Sequence, residues 1–208
     1  MRCALPGPQM EGNLMGKTEY GFAAKALQGD ECGDSGITLE QKGILLCAVI
    51  DGVGHGPNAA IAAVTAKNYI EANSEAPLTE ILQGVHEVLK STQGAVACLC
   101  RIELKSGQLT MAGIGNITCR IFRGLDSERL LSREGILGYM VSTPREHTRK
   151  LDNAALLLMH SDGVREHFEL FEYPDLLKGN AASVAARVVD TLGKNNDDAS
   201  CLAVRFFR

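Results

Sequence analysis

The chain has 208 residues, of which 45% are hydrophobic and 5% aromatic, and its formal net charge at pH 7 is -4. This length suits one well-buried core, so we expect a single domain over 13–208 behind a disordered N-terminal segment, 1–12. The acidic balance and the lack of a Lys/Arg cluster argue against nucleic acid or an anionic membrane as a partner. No apolar run reaches the about 20 residues of a membrane span, and the N-terminus lacks the apolar core of a signal peptide, so we expect a cytoplasmic protein.

The first predicted elements are strands that lead to acidic loops. One or two strands fall within 14–27, and the glycine-rich acidic segment 28–36 (QGDECGDSG) ends them. The next strand is a nearly uninterrupted apolar run from Ile44 to Ile50, typical of a strand buried on both faces. It ends at Asp51, followed by a glycine loop. A carboxylate at the junction of a rigid strand and a mobile loop suits a metal ligand or a catalytic acid.

Helices are predicted where apolar residues recur at i, i+3, i+4 and i+7. A helical hairpin covers 57–91, beginning at Pro57, which suits the first position of a helix. A short helical region is predicted around 164–178 and a clearer helix over 181–192. The predicted buried faces are Ala59, Ala62, Ala63, Ala66, Tyr69 and Ile70, then Leu78, Ile81, Leu82, Val85, Val88 and Leu89, then Ala181, Val184, Ala185, Val188 and Leu192.

Between and after these helices the period is two, which predicts strands. One strand face carries Val96, Cys98, Cys100, Ile102 and Leu104. Strands at about 108–113 and 117–123, separated by GIGN, are predicted to continue it as an antiparallel meander. We expect the asparagine of GIGN, Asn116, to adopt a left-handed backbone conformation. The stretch 124–149 gives no clear pattern, and the apolar run ALLLMHSDG (154–163) and the end of the chain, after NNDD, supply two further strands.

The seven cysteines are an odd number and include no C-x-x-C pair. Most of them are small apolar members of strand patterns. This arrangement favours structural thiols over a zinc or redox site.

The acidic residues are concentrated at strand ends. Asp34, Asp51, Asp162 and the pair Asp197-Asp198 each lie at an end of an apolar strand pattern, next to Gly, Asn or Ser. Each alone is equally well explained as a turn residue. Four such positions together favour a convergent site. Carboxylates are hard ligands that suit Mg²⁺ or Mn²⁺, and they repel one another unless a cation neutralises them, so a two-metal hydrolase fits.

Five motifs give the chain a family resemblance. CGDSG, AVIDGVGHG, GIGN, HSDG and NDDAS, in this order over about 20–206, resemble the metal-dependent protein serine/threonine phosphatases (PPM, type 2C), in their SpoIIE-like bacterial branch. The layout is similar to that of the free-standing stressosome phosphatases of this branch. The resemblance implies an α+β fold, an αββα sandwich in which two antiparallel sheets pack face to face with helices outside.

The resemblance also implies a metal centre and a reaction. Asp51 would bridge two Mn²⁺ or Mg²⁺ ions and, with Asp34, form the catalytic centre. The implied metal ligands are Asp34, Asp51, Gly52 through its carbonyl, Asp162 and Asp197. Asp198 occupies a place where the family often has Asn, so its ligation is open. A metal-bound hydroxide would hydrolyse phosphoserine or phosphothreonine on a bacterial signalling protein, and phosphorylated STAS-domain proteins of the stressosome are the implied partners.

Two histidines and two alternative functions bear on this interpretation. His55, in the glycine loop, is either a proton donor to the leaving oxygen or a loop-packing residue, and His160 is expected to satisfy a hydrogen bond. A noncatalytic phosphatase-like module that binds phosphoproteins or partner helices is the alternative function. A histidine-kinase-type nucleotide loop is disfavoured because Val53 stands where that pattern needs glycine.

The exposed side of the helical hairpin allows two interpretations. It is either a switch surface for a partner, as the resemblance implies, or a solvated face. Its predicted polar residues are Lys67, Asn68, Glu71, Glu80 and Glu87.

Overall fold

The computed structural model describes residues 18–27, 31–124, 126–168 and 172–208. The predicted disordered segment, 1–12, lies outside these residues. In chain order the elements are β1 Glu19–Lys25, β2 Asp34–Gln41, β3 Ile44–Gly52, α1 Pro57–Ala72, α2 Leu78–Val88, β4 Ala95–Glu103, β5 Gln108–Ile114, β6 Thr118–Arg123, β7 Asp126–Leu130, β8 Gly135–Ile136, β9 Met140–Val141, β10 His147–Lys150, β11 Leu156–His160, α3 Ala181–Leu192 and β12 Ala199–Arg205.

The described strands form two five-stranded sheets and a small ribbon. The first sheet has the order β1-β12-β11-β6-β7 and the second the order β10-β5-β4-β3-β2, while β8 pairs with β9. All of these pairings are antiparallel. Helix α3 packs on the outer face of the first sheet, and α1 and α2 pack on the outer face of the second. The architecture is therefore the αββα sandwich that the sequence predicts.

Strand β3 shows why the apolar run from Ile44 belongs inside the sandwich. Alternate residues Leu45, Cys47 and Val49 join the core between the two sheets. Leu46, Ala48 and Ile50 join the core under α1 and α2. Both faces of the strand are covered, so the alternation of polar and apolar residues disappears. The predicted inward face of β4 is likewise confirmed, because Val96, Cys98, Cys100 and Ile102 are buried between the sheets with Leu104 packed against them.

The predicted helix faces are nearly all correct. Every predicted residue of α3 is buried, and those of α1 are buried except Tyr69, which packs at the edge of the core. Val88 is an error, since 37% of it is exposed at the last residue of α2. The outer face of α1 is also less polar than the predicted polar residues indicate, because Ile61 is 57% exposed and Val64 49% exposed.

Two other predictions of local structure are wrong. Strand β5 does pair antiparallel with β4 as predicted, but β6 does not continue the meander, because it belongs to the other sheet and the GIGN segment crosses to it at one end of the sandwich. The described residues of 164–178 form turns rather than a helix.

Two segments are better defined than the sequence allowed. Asp34 begins β2 instead of lying in a loop. The unassigned stretch 124–149 contributes β7 to the first sheet, β10 to the second and the β8–β9 ribbon. None of the helices in the described part of the chain has the length and hydropathy to cross a bilayer.

Candidate metal centre

The site begins with two aspartates on neighbouring strands. Asp34, the first residue of β2, is the cross-strand partner of Asp51 near the end of β3. Directly opposite residues of an antiparallel pair project to the same face, so the two carboxylates are neighbours. Ser161, which follows β11 of the other sheet, donates a hydrogen bond from Oγ to Asp34 Oδ2 at 2.6 Å. The carboxylate of Asp34 therefore lies between the two sheets at one end of the sandwich.

The remaining acids reach the same end from the first sheet. Asp162 follows β11, and Asp197 precedes β12, the strand that pairs with β11. Burial raises the pKa of Asp51 to about 9, and the charges of Asp34, Asp162, Asp197 and Asp198 add to the rise. Burial likewise raises the pKa of Asp34 to about 7. The structure thus brings together all four acidic positions that the sequence singled out.

These acids open onto a cleft of about 590 Å³. Asp51, Asp162 and Asp197 line it, whereas Asp34 is 5% exposed and lies behind them. Among the described residues, the lining contains no aromatic side chain and no Lys or Arg. The other lining residues are Val53, Gly54, His55, Val96, Gly115, Asn116, Glu134, Gly135, Ile136 and Asn196. A cleft with this charge repels a phosphate dianion unless cations are bound in it.

The glycine after Asp51 is required by close packing. A Cβ on Gly52 would overlap the carbonyl oxygen of Ala59 in α1. The backbone N–H of Gly52 donates to the carbonyl of Gly33 at 3.0 Å, and that of Val53 donates to Gly94 at 3.0 Å. The loop that leaves Asp51 is therefore held by both neighbouring strand ends and by the start of α1.

The carboxylate of Asp198 accepts hydrogen bonds from the backbone of the segment before β2. Its Oδ1 accepts the N–H of Leu27 and its Oδ2 accepts the N–H of Gly33, both at 2.6 Å. Both carboxylate oxygens are thus used to hold the chain next to Asp34. This geometry favours a positioning role for Asp198 over ligation, the point that the sequence left open.

Asn116 differs from its sequence prediction. The positive φ of this turn belongs to Gly115, at +98°, and Asn116 is not among the described residues with positive φ. The side chain of Asn116 instead donates from Nδ2 to Asp162 Oδ2 at 2.8 Å. Because glycine carries the left-handed conformation, the asparagine is free to orient an acid of the cleft.

The two histidines lie in different surroundings. His55 is exposed and lines the cleft, so both interpretations of it stay open. His160 is 1% exposed and its Nδ1 lies 2.9 Å from the carbonyl oxygen of Ser161, which agrees with the predicted hydrogen-bonded histidine. Glu134, in the cleft wall, was missed because its segment shows no periodicity and no acidic motif.

The arrangement fits divalent cations. Asp34 Oδ1 is buried and has no hydrogen-bond partner among the residues that the structure describes, although a buried carboxylate oxygen normally has one. Burial raises the pKa of Asp34 and of Asp51, and repulsion from the neighbouring acids adds to both rises. An oxygen-rich, negatively charged cluster with an unsatisfied oxygen is the environment that Mg²⁺ and Mn²⁺ prefer.

Solved structures share this sandwich. One chain, described in work on the bacterial stressosome as a modular system adapted to control secondary messenger signalling, is 31% identical, with a TM-score of 0.84 over 91% of this chain and 100% of its own. RsbX in complex with magnesium is 22% identical, with a TM-score of 0.79 over 95% of this chain and 98% of its own. The fold is that of the PP2C-type phosphatases.

The sequence comparisons give the family. Phosphoserine phosphatase RsbX of Bacillus subtilis (strain 168) is 26% identical over 136 residues, which are 64% of this chain and 67% of RsbX. The family model described as Stage II sporulation protein E (SpoIIE) matches residues 41–207. The chain therefore belongs to the SpoIIE family, and it is a phosphatase.

Proposed function

We propose that this chain hydrolyses phosphoserine or phosphothreonine on a bacterial signalling protein, with two Mn²⁺ or Mg²⁺ ions as cofactors. The observation that carries the proposal is the convergence of Asp51, Asp162 and Asp197, with Asp34 directly behind them, at a cleft whose described lining has no Lys or Arg. The membership of the SpoIIE family and the likeness to a phosphoserine phosphatase support it.

Some residues of the site would bind the ions, and others would position the acids that bind them. Asp51 would bridge the two ions, Asp34 and the carbonyl of Gly52 would hold one, and Asp162 and Asp197 would hold the other. When bound, the ions supply activation of a water molecule for in-line attack on phosphorus and positive charge for the phosphoryl oxygens.

Polar neighbours of the acids orient them. Ser161 donates to Asp34, and Asn116 donates to Asp162. Each of these hydrogen bonds leaves the second oxygen of the same carboxylate for a cation. Such partners of a ligand commonly set metal affinity.

The substrate follows from the shape of the cleft and from the relatives. Among the described residues, the cleft lining has no Phe, Tyr or Trp on which a small ligand could stack, so we propose that selectivity comes from the surface of a folded substrate protein. The relatives include RsbX and a chain from stressosome work, and on that basis we propose phosphorylated STAS-domain proteins of the stressosome as partners.

A phosphatase assay tests the proposal. Hydrolysis of a small aryl phosphate and of a phosphoserine protein should require Mn²⁺ or Mg²⁺ and should stop on addition of excess chelator. Restoring the metal should restore the rate. Undiminished activity in chelator would contradict the metal requirement, and no turnover with metal bound would favour the noncatalytic binding module instead.

A further inference from the structure

Three buried cysteines from the two sheets meet in the core of the sandwich. Cys98 and Cys100 lie on the inner face of β4, and Cys119 lies on the inner face of β6 in the opposite sheet. Their Sγ atoms all lie within 4.8 Å of one another, and those of Cys100 and Cys119 are 3.9 Å apart. All three residues are 0% exposed. This thiol cluster was not visible in the sequence, because Cys119 belongs to a different sheet from the other two.

The spacing suits a single soft ion. The centre of a triangle with sides of about 4 Å lies about 2.3 Å from each corner, which is the length of a Zn–S bond. The Sγ atoms of Cys100 and Cys119, 3.9 Å apart, already have this separation, and the other two pairs, within 4.8 Å, reach it with a small contraction. Sulfur ligands select soft ions such as Zn²⁺, Cd²⁺ and Cu⁺ over Mg²⁺ and Mn²⁺.

Packing alone does not require thiols at this place. The same face of β4 carries Val96 and Ile102, so this layer of the core accepts larger aliphatic side chains. A further thiol lies beside the cluster, since Cys47 is the cross-strand partner of Cys100 and donates to its carbonyl at 3.6 Å. The buried Cys201 shows the contrast, because it stands apart from the cluster in the core under α3.

We propose that Cys98, Cys100 and Cys119 bind a thiophilic d¹⁰ cation, Zn²⁺ in the first instance. Binding of a divalent ion releases two protons, one from each of two thiols, while the third sulfur binds as a neutral thiol. The occupied site then has no net charge, which suits an apolar interior.

The thiol cluster lies directly below the acidic cleft and is distinct from it. Val96 lines the cleft, and Cys98 is the next residue inward on the same face of β4, roughly 7 Å further along the strand. Asp51 pairs with Val96 and Val49 pairs with Cys98, so the two sites occupy successive layers between the sheets. The side chain of Val96 lies between them, because it lines the cleft and also belongs to the core cluster that contains the three thiols.

Cd²⁺ is the probe for this site, because thiolate-to-cadmium charge transfer gives a near-ultraviolet band that carboxylate ligands do not give. The full chain is reduced, its free thiols are counted, and excess Mg²⁺ is added to occupy the acidic centre. Because the thiol cluster is buried, Cd²⁺ is loaded both by incubation and during refolding from urea. We expect the band to saturate at one equivalent in the wild type.

Single substitutions locate the ligands. Cys98→Ala and Cys119→Ala should lose the band, whereas Cys201→Ala, a matched change of a buried cysteine outside the thiol cluster, should keep it. Absence of the band in the wild type after both loading procedures would overturn the proposal, and so would an unchanged band in Cys119→Ala. If the variants do not fold, X-ray absorption of the cadmium-loaded wild type decides: three sulfur neighbours support the site and fewer overturn it.

Discussion

At the residue scale, the proposed bridging carboxylate, Asp51, should be harder to replace than the loop histidine, His55. Asp51 is surrounded by the other acids and its pKa is raised to about 9, whereas His55 is an exposed residue of the cleft lining. A carboxylate that neutralises two cations cannot be replaced by an amide without loss of one charge. A proton donor at an exposed position is more easily replaced by water.

We therefore expect Asp51→Asn to reduce kcat/KM on the order of 100-fold or more, since a bound cation contributes several kcal/mol of transition-state stabilisation. Asp162→Asn should also be costly, and His55→Ala should cost less than either. Steady-state assays with Mn²⁺ give the ordering, with Asp126→Asn, an exposed aspartate of β7, as the control. A near-wild-type rate in Asp51→Asn would remove it from the centre, and His55→Ala as the worst of the three would make it a principal acid.

The raised pKa values predict the pH dependence of stability without metal. Asp34 and Asp51 have an ordinary pKa of 3.8 and folded values of about 7 and about 9. The folded state therefore binds more protons than the unfolded state across this window, so stability falls as pH rises from about 4 to about 9. Thermal unfolding in chelator at pH 5, 7 and 9 measures this fall.

The control for this pH series is Asp51→Asn, which should show a shallower fall because one of the two titrating groups is gone. The difference between wild type and variant cancels the contribution of other groups, including the buried His160, whose pKa is lowered by burial. Addition of Mn²⁺ should stabilise the wild type most at high pH. Equal pH profiles for the two proteins would contradict the assignment of the raised pKa to Asp51.

At the scale of elements, α3 is held by a side-chain cap. Asn180 precedes the helix with extended backbone, and its Oδ1 accepts the N–H of Ser183 at 2.8 Å. Asn180→Ala should lower the free energy of unfolding by about 1 kcal/mol, because a buried apolar helix face remains but one helical N–H loses its partner. Urea unfolding measures the change. Asn180→Ser, which keeps an acceptor at the cap, should retain most of the stability, and equal losses in both variants would mean that the cap is not the cause.

The helical hairpin is the element that connects the acidic centre to the surface. Its first helix starts five residues after Gly52, and Gly52 packs against Ala59 without room for a side chain. The loop between the two helices is held by Arg101 of β4, whose Nη2 donates to the carbonyls of Ser74 and Ala76 at 2.7 and 2.6 Å. On the outer face of α1, Ile61 and Val64 are exposed among polar residues. A partner that contacts this face would therefore touch the helix that packs directly against Gly52, the residue after Asp51.

At the scale of the whole molecule, the proposed use of the surrounding surface can be measured. Turnover of a phosphorylated STAS-domain protein is compared with turnover of the phosphopeptide excised from it. We expect kcat/KM to be at least about tenfold higher for the folded protein, the equivalent of one good interface contact. A small aryl phosphate serves as the control for the chemical step. If the peptide is hydrolysed as well as the protein, docking contributes nothing and the hairpin is a solvated face.

Local pattern was sufficient for much of this molecule. The buried faces of β3, β4, α1 and α3 are readable from the chain because the period of apolar residues reports which side of an element is covered. The acids at 34, 51, 162 and 197 were found for a similar reason, since each interrupts an apolar pattern next to Gly, Asn or Ser. The order of five such motifs then carried the family resemblance, and with it the αββα sandwich.

Only the tertiary structure decided which element packs against each buried face. Apolar period is a property of a few adjacent residues, whereas sheet partners are set by contacts between distant segments. For that reason β5 and β6 were wrongly joined in one meander, and Asp198 gave no sign that it holds the backbone at Leu27 and Gly33. The meeting of Cys119 with Cys98 and Cys100 has the same origin, because it exists only once the two sheets face each other.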